Sequence, residues 1–313
     1  MTYVGIQTQI RRNNFNSFLL IVAFPLVLLG MVYAVLFFTS EYKESQQDIQ
    51  LVNESFINVV PFVIIGTTIW FVIAWFFHNS MIHLATGSKP LERMSNKRVY
   101  NLVENLCISK GMKTPQIFII EDDSLNAFAS GVNESTYSVS LSRGIIDKLN
   151  DDELEGVIAH ELSHIRNRDV RLMIISIIFV GIFAFIAQMA LRSLQFGSLS
   201  RGKGKNGGAG ILIVIVISAV CYLIAILLRF GISRSREYMA DAGAAEMTRK
   251  PYALANALRK IDQDPLIEAV QRKDVAQLFI ENPQPEEKKF SLSNFFSTHP
   301  PIQKRIELLD QFA

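Results

Sequence analysis

Four stretches of about twenty residues, Phe18 to Phe38, Ile57 to Phe77, Leu172 to Leu191 and Ile211 to Leu228, are almost free of charge. Each is long enough for a helix to cross the roughly 30 Å hydrocarbon core of a bilayer, and nothing else in the chain restricts its fold as much. In lipid a spanning segment must satisfy its own backbone, so these runs are expected to be helices. Arg11 and Arg12 precede the first run, as in a signal peptide. That run is too long for one and no small-residue cleavage site follows, so it reads as a retained anchor. Pro25 and Pro61 fall inside runs, where a membrane helix tolerates them. The connection after the first run is acidic (Glu41, Glu44, Asp48, Glu54), whereas Lys89, Arg93, Lys97 and Arg98 follow the second. The positive-inside rule then places the amino terminus and the chain beyond about residue 78 in the cytoplasm. His78 and His83 fall at this edge and read as interfacial histidines.

Half of the 313 residues are hydrophobic and 19% are charged. A net charge of +2, with no basic-aromatic cluster and no glycine-rich phosphate loop, gives no footprint for nucleic acid. Cys107 and Cys221 are the only cysteines, too few for a disulfide framework. The apolar runs hold no Asp, Glu or Lys to line an ion path, which disfavours a channel or transporter.

Between the second and third runs the pattern changes. Val99, Leu102, Val103 and Leu106 form a helical stripe that Gly111 would end. Gln116–Ile120, Ser124–Ser130 and Tyr137–Leu141 read as short strands, the last two joined by a turn. Asn150 with Asp151, Asp152 and Glu153 marks a helix start. That helix carries His160-Glu161-Leu162-Ser163-His164 and has no obvious stop before the third run. Residues four apart share a helix face, so both imidazoles can point at one metal ion with Glu161 beside it as general base. An ordinary charged helix turn would carry the same five residues, so a third ligand decides the matter.

From His164 to the end of the third run is about 27 residues, or roughly 40 Å of helix, and from Ile211 to Glu237 is nearly the same length. An antiparallel hairpin would bring Glu237 back level with His164 on the same side of the membrane. Two histidines and a glutamate, with the fourth position left to water, form a catalytic zinc ligand set. Asp241, one turn beyond Glu237, is placed to orient a ligand histidine through its free ring N–H. A salt-bridged surface with Arg234 and Arg236 is the competing explanation.

With the His160–His164 motif, the Ser235–Asp241 segment, Thr298-His299-Pro300, Leu125-Asn126-Ala127-Phe128-Ala129 and the order of the apolar runs, the chain resembles the HtpX-type membrane zinc metalloprotease family, distantly related to CAAX prenyl proteases. Ser163 stands where that family commonly has glycine. The resemblance implies a mainly α fold with a small β-sheet (α+β), a helical membrane protein with a zincin-like cytoplasmic metalloprotease domain. Residues 1–80 would form a membrane hairpin, 81–171 the first part of the protease domain, 172–230 a second apolar hairpin and 231–313 the second part. It further implies a zinc endopeptidase of the bacterial inner membrane, with one Zn²⁺ per chain on His160, His164 and Glu237. Its partners would be polypeptide substrates, membrane proteins among them, and the bilayer; damaged or misassembled proteins are the expected substrates. His299 is the candidate oxyanion donor, or else a buried histidine capping the last helix. Asn126, Ala127 and Phe128 fit a strand edge that binds substrate main chain, and equally a plain core strand. The rival function is a non-catalytic membrane chaperone or adaptor with a structural metal.

Overall fold

The computed structural model describes residues 6–39, 46–195, 215–217, 219–220, 234–263, 279–280 and 300–312. Two long helices open the chain, α1 (Ile6–Thr39) and α2 (Gln46–Thr86), with Pro25 and Pro61 inside them. Among the described residues, Ile10–Phe38 and Ile49–Thr86 are the segments long and apolar enough to cross a membrane. The third run lies in α6 (Asp169–Gln195), and most of the fourth lies outside the described residues, as does the linker at 196–210.

The chain divides into two compact units. In one, residues 17–76 with 175–229, an apolar core joins Phe24, Leu28 and Met31 of α1 to Ile175, Phe179, Ile182 and Phe183 of α6. Phe24 and Phe179 stack with ring centroids 4.2 Å apart.

The other unit, residues 1–16, 77–174 and 230–313, is α+β. Its sheet runs in the order β1 (Lys89–Pro90), β2 (Gln116–Ile120), β4 (Ser138–Ser142), β3 (Ala127–Ser130). The β2–β4 pair is parallel and both outer pairs are antiparallel, with Phe128 opposite Ser140. The expected strand at Ser124–Ser130 starts three residues late, where the N–H groups of Ser124 and Asn126 go to the Asp122 and Ser142 side chains rather than to a neighbouring strand's carbonyls.

Helix α3 (Lys97–Lys110) ends at Gly111, whose φ of 63° is the left-handed cap that glycine accepts at no steric cost. After α4 (Arg143–Lys148) comes α5 (Asp151–Asn167), started by a capping box in which Asn150 and Glu153 satisfy each other's backbone N–H. Helix α5 is buried nearly all round, packed by α3, the sheet, α7 (Arg234–Thr248) and α8 (Pro251–Ile261), which in turn packs on α9 (Ile302–Asp310). It does stop before the third run: Arg168 adopts φ 61°, and its N–H closes on His164 and Ile165 carbonyls. Both edge histidines lie on α2, where His83 stacks on Phe118 at 3.7 Å and reaches the Ser88 hydroxyl at 2.6 Å.

Candidate metal centre

One helical turn on α5 puts His160 and His164 edge to face, ring centroids 4.8 Å apart. Their Nε2 atoms stand 3.2 Å apart, and Glu237 of α7 places Oε2 3.6 Å from the first and Oε1 3.6 Å from the second. A tetrahedral zinc ion with bonds of roughly 2.0–2.1 Å spaces its ligand atoms about 3.3–3.4 Å apart; with one atom taken from each side chain these three lie within 4.8 Å of one another, so a small closing movement would complete such a site.

The far side of each imidazole carries a carboxylate. His160 Nδ1 faces Asp241 Oδ1 at 3.0 Å, and His164 Nδ1 faces Asp169 Oδ2 at 3.2 Å. A proton held on each Nδ1 leaves both Nε2 lone pairs directed at the shared point, the arrangement that fixes the tautomer of metal-binding histidines. Asp241 lies one turn beyond Glu237, so α7 supplies both carboxylates from one face. The approach of α7 to α5 depends on Gly243: a Cβ there would come within 2.6 Å of Ser163 Oγ. Ser163 donates its hydroxyl to the Ala159 carbonyl at 2.8 Å.

Two further supports were not anticipated from sequence. Arg305 of α9 is fully buried and grips Asp241 with two donors at 2.8 and 2.9 Å. Its Nη2 lies 3.4 Å from His160 Nε2 and its Nη1 3.7 Å from Glu237 Oε2. The signal was present: Ile302, Arg305, Ile306 and Leu309 follow i, i+3, i+4, i+7, placing a charge on the apolar stripe. Asn13 of α1 donates to Asp169 Oδ1 at 2.6 Å and to the Asn167 carbonyl at 2.8 Å, linking the amino-terminal helix through Asp169 to His164. Arg236, buried beside Asp169 and Glu237, is part of this interior rather than of a surface salt bridge.

Burial raises the pKa of Glu161, against the pull of His160 and His164, and its Oε1 makes no hydrogen bond among the described residues. Burial disfavours a charge on His160, yet the Asp241 and Glu237 carboxylates overcome that and lift it to about 9, so a metal entering must displace a proton. Burial also opposes the Asp241 charge, but Arg305 and His160 hold that carboxyl below its usual range. Cys107 is buried, and burial pushes its thiol up to about 11, which leaves it inert.

Ala127 and Phe128 lie in β3 at the sheet edge, with Asn126 just before them. The outer edge of β3 is taken by the chain itself: Phe279 bridges Phe128, and Ile280 donates its N–H to the Ala127 carbonyl at 2.9 Å. Arg305 donates Nη1–H to the Ile280 carbonyl at 3.0 Å. His299 lies outside the described residues.

Two histidines on one turn, each backed by a carboxylate, and a glutamate from a second helix form a group that could hold a metal ion, in a chain with helices able to cross a membrane. Residues 93–313 match the model of Peptidase family M48. The chain is 57% identical, over all of both sequences, to a protease HtpX homolog of Bacteroides fragilis. It is 40% identical to the homolog of Dictyoglomus turgidum, over 78% of this chain and 81% of that one. Among solved structures, S. mikatae Ste24p has a TM-score of 0.49 and 19% identity, matching 82% of this chain and 58% of its own. The chain belongs to peptidase family M48 and is a membrane metalloprotease.

Proposed function

We propose that this protein is a zinc endopeptidase of a bacterial cytoplasmic membrane that cleaves damaged or misassembled proteins, membrane proteins among them, on the cytoplasmic side. One Zn²⁺ per chain would be held by His160, His164 and Glu237. Bound there, zinc supplies a water acidified toward neutral pH and a polarised substrate carbonyl. Glu161, a carboxylate with a raised pKa beside that point, takes the proton of the attacking water and passes it to the leaving nitrogen. Asp241 and Asp169 keep both imidazoles in the tautomer that offers Nε2. His299 is retained as the candidate oxyanion donor; the Arg305 guanidinium, which touches the ligand set, serves to fix Asp241. Residues 81–171 and 231–313 would carry the chemistry, and 1–80 and 172–230 would hold the chain in the bilayer.

The observation that carries this reading is the gathering of three side chains, the two Nε2 atoms 3.2 Å apart and each 3.6 Å from one Glu237 oxygen, with an ionisable carboxylate next to His160 in the chain. Asn126, Ala127 and Phe128 are proposed to receive substrate main chain, which must then displace Phe279 and Ile280 from the β3 edge. The direct test is Glu161→Gln. It should retain zinc and fold while proteolysis of an unfolded substrate falls by roughly 10²–10⁴-fold. Full proteolysis by that variant would exclude Glu161 as the base. Loss of proteolysis with every cellular function kept would favour a chaperone or adaptor.

A further inference from the structure

A cleft of about 890 Å³ lies on the α+β unit, lined by none of the three metal-ligand candidates and walled by the start of α1, the turn after α3, the β3–β4 turn and the α5–α6 corner. Four cations line it, Lys113, Arg166, Arg168 and Arg171, against one carboxylate, Glu134. We propose that this cleft binds the phosphate-bearing headgroup of an anionic phospholipid.

The charge balance is one reason. Four cations against one carboxylate leave the lining with an excess of positive charge, and the Arg166–Glu246 pair, at 3.7 Å, is a loose one. The backbone is another. Arg168 sits at φ 61°, a conformation that favours glycine, and Arg249 is the other described non-glycine residue there. An arginine is thus kept at a strained cap position, with its guanidinium on Asn14 at 3.2 Å and toward the cleft. Tyr137 adds a phenol; burial holds its pKa above the usual range, with Arg168 and Arg171 pulling it back, so it stays a donor at neutral pH.

Chain position supplies the lipid. Ile10, in the cleft wall, is the first residue of a segment able to cross a membrane, and Arg171 directly precedes the apolar run at Leu172. Both walls therefore lie within about eight residues of an apolar run, at Phe18 and Leu172, close in sequence to where the chain meets the headgroup level. The proposal rests on the membrane reading and not on the catalytic one: Arg168 meets His164 only through its backbone N–H, which Arg168→Gly keeps.

The test is thermal unfolding of the full chain in neutral detergent, titrated with short-chain phosphatidylglycerol, with phosphatidylcholine of the same chain length, or with inorganic phosphate. Phosphatidylglycerol should raise the midpoint saturably, and the other two should not. Arg168→Gly relieves the backbone and should fold at least as well as wild type, yet bind phosphatidylglycerol about fivefold more weakly, as should Arg171→Gln. An undiminished response in the double variant would overturn the site. An equal response to inorganic phosphate would overturn the lipid in favour of a soluble phosphate.

Discussion

In the apolar unit, Phe62 and Phe76 are each 74% exposed, and Ile57, Ile65 and Phe18 stand outward with them. In the α+β unit, Glu161, Glu237, Asp241, Asp169 and Arg305 are buried. Either pattern would be a fault in an ordinary soluble protein, where apolar groups go in and charges stay out. Each is resolved by what surrounds it. Outward phenylalanines are stable where the solvent is lipid, and inward charges are stable where every carboxylate meets a histidine, an arginine or a metal. On the proposed function, the contrast separates the part of the chain that would locate the enzyme from the part that would do chemistry.

The largest effect should come from breaking the interior pattern. Arg305→Met would strand the Asp241 carboxylate and cost about 3–5 kcal/mol in thermal or denaturant unfolding. Arg305→Lys should recover little, because an ammonium cannot reproduce the two-donor grip. Unchanged stability in Arg305→Met would mean that the buried charges are not held as described.

One substitution made in both units sharpens the comparison. Ile65 and Ile108 are 57% and 75% exposed. Ile65→Arg, on a membrane-crossing helix, should reduce insertion by about 2.5–3.5 kcal/mol, whereas Ile108→Arg on α3 should stay within about 0.5 kcal/mol in unfolding. Equal, small effects would remove the lipid-facing reading of α2. A smaller effect is expected at Asn13. Asn13→Ala should leave the fold in place and weaken zinc binding about tenfold in chelator competition, the lower end of what outer partners of ligand histidines contribute.

Periodicity and capping made the helices legible in sequence, and the Asn150 capping box and the Gly111 cap stand where the residues indicated. The i, i+4 histidines were legible too, and Glu237 stands beside them, although the antiparallel hairpin expected to return it lies largely outside the described residues and its first arm breaks at Arg168. The supports were hidden for a common physical reason. Asp169 reads as one acid among Arg166, Arg168 and Arg171 and Asn13 as part of an anchor's polar flank, while the apolar stripe around Arg305 marks it as inward without naming its partner. Asn13 meets Asp169 across 156 positions and Arg305 meets Asp241 across 64, and contacts at such separations leave no local pattern. The α5 stop was missed because its cap is an arginine rather than glycine.

Metal analysis of purified wild type beside Glu237→Ala, both checked for fold, addresses the centre most directly. One zinc per chain in the wild type and a large loss in the variant is the predicted result. Equal zinc in the two proteins would remove Glu237 from the ligand set and contradict the centre as built from His160, His164 and that carboxylate.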